Sequence, residues 1–502
     1  MESPNCESGR SVIAALADFP IITSHQTGAT FMSASNKNAG YSLTKTIGMV
    51  LAIIAFFVPF VFTFDGLSEP GHRVLGIFMM AVVLWITEAI PLHATAALII
   101  FLSILLVSDK AMLPLPEGFK APAYTTFFNS LASPVLMLFL GGFFLADGAA
   151  KYKLDKNLVR VMIKPFGNKP STILLGLMMI TALFSMFMSN TATTATMIAV
   201  VIPIIARLAP EDRSRIALVL AIPVAANIGG MGTPVGTPPN AIALGALSKA
   251  GISISFIDWV IMVVPFMLVI LVFAWFILSL FYMRNSKPIE IDIASNFDQS
   301  PKAVLFYITG AVTILLWFTE PLHGISSNIV GFFPVVVMLS TKLITDKEFH
   351  AMQWSVLWLV AGGIAMGDAV GKSGVDTWMI GLVDWKSMAP ATIAGGMFIA
   401  ALLLGSIISH SATANLLVPI GMSLTASPDI AISPAASAIF IAIGSSLAMA
   451  LPISTPPNAI AYATGAVKTK DMALTGVIFG VIGTLLFVFL AEPVWTWLGV
   501  KP

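Results

Sequence analysis

Two clusters of small neutral polar residues stand inside apolar sequence, and each is followed downstream by a polar motif broken by prolines. Ser189-Asn190-Thr191-Ala192-Thr193 precedes Gly236-Thr237-Pro238-Pro239-Asn240, and Ser409-His410-Ser411-Ala412-Thr413 precedes Ser454-Thr455-Pro456-Pro457-Asn458. From the first serine to the threonine of Thr-Pro-Pro-Asn is 48 residues in one copy and 46 in the other. Hydroxyl and carboxamide oxygens are hard, uncharged ligands that suit a cation such as sodium. Helix N-termini offer free N–H groups and partial positive charge to an anion. Proline removes a backbone donor and leaves upstream carbonyls unpaired, which adds oxygens at the same place. No Lys or Arg lies in either cluster or either break. An anion held there needs helix ends and a co-bound cation to offset its charge.

The elements that position these groups must lie in a membrane. Hydrophobic residues make up 57% of the 502 residues and charged ones 10%, with a mean hydropathy of +0.92. So little charge cannot keep a chain of this size in water, which indicates an all-α polytopic membrane protein. The net charge of +1 and the lack of a basic cluster argue against a nucleic-acid partner. The single cysteine, Cys6, excludes an intrachain disulfide and cysteine-based metal chemistry. Residues 1–42, rich in Ser, Asn and Ala, read as a disordered cytoplasmic tail. Their apolar run from Val12 to Ala17 is too short to span and lacks the charged leader of a signal peptide.

Apolar stretches of spanning length fall near 44–64, 73–90, 92–108, 133–150, 256–283, 302–319, 325–343, 354–371 and 473–498. Residues 171–207 and 391–426 each hold two apolar arms around a polar tip and read as re-entrant hairpins. The stretches 216–248 and 435–467 are split by Gly and Pro and read as discontinuous helices, tolerable in a bilayer where the freed backbone faces protein or water. The total is about eleven spans and two hairpins. With the N-terminus inside, 19 of the 26 Lys and Arg fall on the cytoplasmic side, and an odd number of spans places the C-terminus outside.

The duplication reaches beyond the two motifs. Trp85-Ile86-Thr87-Glu88 has a partner in Trp317-Phe318-Thr319-Glu320, and Gly141-Gly142 precedes Asp147 by the interval that separates Gly362-Gly363 from Asp368. The chain therefore divides into a tail (1–42), a first transmembrane helix (43–72), a first repeat (73–250) and a connecting helix with a cytoplasmic loop (251–301). A second repeat (302–468) and a last helix (469–502) follow. The charge pattern makes the repeats inverted, an arrangement suited to alternating access. Glu88 and Glu320 sit beside helix ends and read as interfacial caps; Asp147 and Asp368 read as solvated or pairing groups. His410 replaces Asn190 at the symmetry-related tip, where it could bind a carboxylate, touch a cation or carry a proton.

These motifs closely resemble those of the divalent anion:sodium symporter family, carriers of dicarboxylates, citrate and sulfate, and the resemblance covers the chain from residue 44 onward. It implies a homodimer embedded in lipid, working as an elevator-type transporter without enzymatic activity, with sodium as coupling ion. Carried over, a first sodium site uses Ser185, Ser189, Asn190 and carbonyls near Gly236. A second sodium site uses Ser409 and carbonyls near Ser454. The substrate meets Ser189, Asn190, Thr191, Thr237 and Pro238 at one end, and Ser409, His410, Ser411, Thr455 and Pro456 at the other. This chain departs from the family pattern with Gly405, His410 and Ser411 in the second half. The expected activity is sodium-coupled import of a small divalent carboxylate, with a four-carbon dicarboxylate foremost. A sodium-independent exchanger, a sulfate symporter and, from another class, an anion channel are the alternatives.

Overall fold

The computed structural model describes residues 43–209, 211–283, 288, 296–383, 385–427 and 430–500, so the expected tail over 1–42 lies outside the described residues. All regular elements among them are helical. Helices α1 (Leu43–Val61), α2 (Glu69–Thr87), α3 (Leu92–Val107) and α4 (Pro134–Lys151) come first. A hairpin of α5 (Pro170–Phe187) and α6 (Asn190–Ala206) leads to α7 (Ser214–Gly230) and α8 (Pro238–Lys249), separated by an irregular break. The long α9 (Phe256–Tyr282) closes this part.

The order then recurs. Helices α10 (Pro301–Phe318), α11 (Ser327–Ser340) and α12 (Trp354–Ser373) precede a hairpin of α13 (Pro390–Ile407) and α14 (His410–Thr425). A second broken pair, α15 (Pro434–Ser446) and α16 (Pro456–Ala463), and the long α17 (Thr469–Trp497) follow. By length and composition, nine helical stretches among the described residues can cross a membrane. At 16 and 14 residues, α3 and α11 are shorter than the spans expected over 92–108 and 325–343.

The local chemistry explains where the chain turns. At each hairpin tip a serine in extended conformation caps the returning helix. Ser189 Oγ accepts from the Ala192 N–H at 3.2 Å, and Ser409 Oγ accepts from the Ala412 N–H at 3.2 Å. At each break, a threonine in the extended region precedes two prolines that occupy the first helical positions, where a missing N–H costs nothing.

The hairpins are held by the broken helices and exchange partners between halves. Helix α5 packs along α7, while α6 touches both α7 and α16. In the other half α13 and α14 pack on α15, and α14 also touches α8. Helices α9 and α17 brace this centre, joined by Phe266 and Phe487 with ring centroids 4.7 Å apart and by the Trp495 indole donating to the Met262 carbonyl. Helix α12 lies between the centre and the remaining helices, against α3, α8 and α14.

Candidate binding site

The first tip assembles an excess of oxygens over protons. Ser185 sits in the last turn of α5, fully buried, with Oγ 2.7 Å from Asn190 Oδ1 and 2.8 Å from the Ala226 carbonyl oxygen. One hydroxyl proton faces two acceptors. Asn190 Oδ1 in turn lies against Gly230, so closely that any side chain there would collide with it. A Cβ on Gly236 would strike the Gly230 carbonyl oxygen and come within 2.9 Å of the Ser185 carbonyl oxygen. Two glycines, Gly230 at the end of α7 and Gly236 in the break before α8, thus let five neutral oxygens gather from α5, α6 and α7. Among the described residues, no group of three or more His, Cys, Asp or Glu could hold a metal ion. An all-neutral oxygen set suits a monovalent cation, since a divalent ion generally draws on carboxylates.

The direction of the Asn190 carboxamide is set from the other half of the chain. Asn458 Nδ2 faces the carbonyl oxygens of Met449 at 2.8 Å and Leu451 at 3.0 Å. Carbonyls only accept, so that end of Asn458 must be the donor and Oδ1 must point the other way. Asn458 Oδ1 accepts from Asn227 Nδ2 at 3.3 Å, and the same Nδ2 lies 3.4 Å from Thr455 Oγ1. Asn227 Oδ1 is then left to accept from Asn190 Nδ2 at 3.4 Å, which turns Asn190 Oδ1 toward Ser185. Asn227 is fully buried and Asn458 nearly so. The Asn190 side-chain oxygen in one half is therefore oriented by backbone carbonyls in the other.

Asn240 plays the same local part in its own break, donating to the carbonyls of Gly230, Met231 and Thr233 at 2.8–3.3 Å. The asparagine of Thr-Pro-Pro-Asn is thus the staple that satisfies carbonyls left without helical partners at the break. In the second half His410 is buried, and its Nε2 lies 2.9 Å from the Ala448 carbonyl oxygen. Ser454 Oγ donates to the Leu451 carbonyl at 2.7 Å.

All ten residues expected to meet substrate stand at or next to helix N-termini. Ser189, Asn190 and Thr191 begin α6; Thr237 and Pro238 begin α8; Ser409, His410 and Ser411 begin α14; Thr455 and Pro456 begin α16. Asn227 joins the first and last of these starts directly, and Gly236, before the second, packs on Ser185 and Gly230, both of which touch Asn190 of the first. The start of α14 is tied in through Ala448, whose neighbour Met449 accepts from Asn458. Thr237, Thr455 and His410 are buried, whereas Ser189, Asn190, Thr191, Ser409 and Ser411 keep partial exposure and Pro456 is exposed. Four helix starts with no fixed cation among them can accept an anion whose charge a nearby bound cation helps to balance.

Sequence reasoning passed over Asn227 and Gln353. Asn227 occupies the same place in α7 as Ser445 in α15, so a polar pair at matched positions was the available signal. Gln353 Nε2 lies 3.4 Å from Ser189 Oγ and reaches the tip from the start of α12, for which the motifs gave no sign. The carboxylates behave as pairing and capping groups: Asp368 Oδ2 meets Lys249 Nζ at 2.9 Å, Glu320 Oε2 accepts from the Phe256 N–H, and Glu88 is exposed.

Comparison with known proteins places this geometry in a lineage. A family model described as citrate transporter (CitMHS) matches residues 82–444, most of the chain. The chain belongs to this family. It is a membrane transporter and not an enzyme, and the resemblance drawn from the duplicated motifs holds. As a citrate-transporter family member it is 30% identical to the sodium-dependent dicarboxylate transporter SdcS of Staphylococcus saprophyticus, over 92% of this chain and 95% of that one. It is 28% identical to the SdcS of Staphylococcus aureus, over 92% and 93%. An uncharacterised transporter of Haemophilus influenzae matches at 30%, over 89% and 96%. Two solved transporters share the fold at 13% identity. The YdaH transporter of Alcanivorax borkumensis has a TM-score of 0.54, covering 86% of this chain and 99% of its own. MtrF of Neisseria gonorrhoeae has a TM-score of 0.53, covering 92% and 97%.

Proposed function

We propose that this transporter imports a four-carbon dicarboxylate of the succinate, malate or fumarate class, driven by sodium. The observation that carries the reading is the crowd of neutral oxygens around Ser185, Asn190, Gly230 and Gly236 beside helix starts that bear no Lys or Arg. A cation bound there supplies the positive charge that a dianion needs in a site without one. The anion then holds the cation in place by the same attraction, so each ligand raises the affinity for the other. The sodium-dependent dicarboxylate transporters at 28–30% identity support both the ion and the substrate class.

The rest of the reading follows from alternating access. The two hairpins enter from opposite sides in inverted repeats, and the centre built of α5–α8 and α13–α16 moves as a unit past the other helices in a homodimer. The membrane is the plasma membrane of a bacterium, with the N-terminus cytoplasmic and the C-terminus outside. One observation favours a second reading, a sodium-independent exchanger: the second half lacks the hydroxyl and carboxamide of the first, with Gly405 and His410 in their places. Uptake of radiolabelled succinate into proteoliposomes separates the two. Under an inward sodium gradient the symporter accumulates succinate, and with choline it does not. Equal uptake in both salts, dependent on internal succinate, would establish the exchanger.

A further inference from the structure

Resting on the sodium-coupled reading, we propose that the second half of this transporter binds no cation, because the His410 Nε2–H stands permanently where the first half leaves room for one. The two breaks superimpose by sequence with a shift that pairs Thr237-Pro238-Pro239-Asn240 with Thr455-Pro456-Pro457-Asn458. That shift sets Gly230 opposite Ala448, Asn227 opposite Ser445 and Gly236 opposite Ser454. The hairpins, aligned on Ser189 and Ser409, set Ser185 opposite Gly405 and Asn190 opposite His410.

Each matched pair loses an oxygen or fills a space. The hydroxyl of Ser185 is absent at Gly405. The carboxamide oxygen of Asn190, held against Gly230, is replaced by an imidazole whose Nε2 lies 2.9 Å from the Ala448 carbonyl oxygen. That carbonyl is the counterpart of the Gly230 carbonyl in the oxygen cluster of the first half. A carbonyl only accepts, so Nε2 carries the proton in either charge state of the ring. The positive end of an N–H dipole thus points at the oxygen a second cation would use. Ser445, opposite Asn227, is turned back onto its own helix, with Oγ 2.7 Å from the Ile441 carbonyl oxygen. Ser454 Oγ donates to the Leu451 carbonyl and itself faces a donor, Asn458 Nδ2 at 3.5 Å.

The substitutions form a matched set. A Cβ at Gly405 would lie 2.7 Å from the Ala448 Cβ, so a serine cannot be restored at 405 while Ala448 keeps its methyl. The first half shows the reverse pairing, Ser185 with Gly230. Ser, Asn and Gly gather oxygens; Gly, His and Ala supply a fixed donor and close the space. The consequence is a transporter that binds a cation through one half alone, with His410 as a built-in stand-in at the other.

The test compares sodium activation of succinate uptake in proteoliposomes for the wild-type chain and for the triple variant Gly405→Ser, His410→Asn, Ala448→Gly. Sodium titrations of thermal stability without substrate run alongside. The wild type is expected to give a Hill slope of about one, and the triple variant a steeper curve approaching two. A wild-type slope near two, or a triple variant with the wild-type slope, overturns the proposal. If the wild type ignores sodium while the triple variant responds to it, the sodium-coupled reading fails and the assignment of His410 stands. If neither responds, both fall. Should the triple variant lack a cooperative melting transition, the wild-type slope decides alone.

Discussion

At the scale of single residues, the site is a matter of which atom is a donor. Ser185, Asn190, Asn227 and Asn458 form one directional series, anchored by carbonyls that leave no choice of orientation. Ser185→Ala removes one neutral oxygen and leaves the backbone unchanged. Its sodium half-activation should rise by roughly tenfold, the equivalent of about 1.4 kcal/mol, while succinate KM at saturating sodium stays near the wild-type value. Uptake measured over a sodium series checks this. Asn458→Ala is the more informative change, since the residue is linked to Asn190 only through Asn227. Without it the Asn227 and Asn190 carboxamides lose their fixed sense, so sodium affinity should fall together with a loss of about 1–3 kcal/mol in stability. A variant that melts earlier but keeps its sodium affinity would show that the series does not set the Asn190 oxygen.

At the scale of elements, breaks and corners are held by side chains that collect carbonyls. Asn240 does so between α7 and α8, and Arg73, near the start of α2, does so at the end of α3, donating to the carbonyls of Leu106, Leu113 and Pro114 while paired with Glu69 at 2.6 Å. At the corner between α11 and α12, Lys151 Nζ reaches Glu348 at 2.7 Å and the Leu343 carbonyl at 2.9 Å. Burial works to raise the Glu348 carboxyl, but the hydrogen bonds from Lys151 and Thr345 outweigh it and hold the group below its ordinary 4.5. A depressed carboxylate stabilises the fold above its unfolded value and loses that contribution as pH falls through the lower folded value. Wild type and Glu348→Gln should therefore differ by about 1 kcal/mol near neutral pH and converge in acid. Melting midpoints in detergent across that range would show it; a constant gap would contradict the assignment. The hairpin arms and broken helices were legible because apolar length, proline and a serine cap each leave a mark in the chain. The exchange of partners, α6 onto α16 and α14 onto α8, was not legible, because it depends on how two similar halves interlock.

At the scale of the whole molecule, duplication in sequence became one shared centre. The helix starts were readable from Ser-Asn-Thr and Thr-Pro-Pro-Asn, and so was the difference at His410. What His410 touches was not readable, since Ala448 lies outside every motif and matters through its carbonyl. Asn227 was missed for a similar reason: one asparagine in an apolar helix looks like ordinary interhelical glue until its neighbours are known. In the proposed mechanism the cation and the anion are two parts of one bound state, which linkage can test in the intact purified protein. Ligands that bind only the folded form raise its melting midpoint by mass action. Melting should be followed with succinate and sodium separately and together, choline replacing sodium at equal ionic strength. The expected result is a shift for the pair that exceeds the sum of the two separate shifts. An equal succinate shift in choline and in sodium would contradict the account.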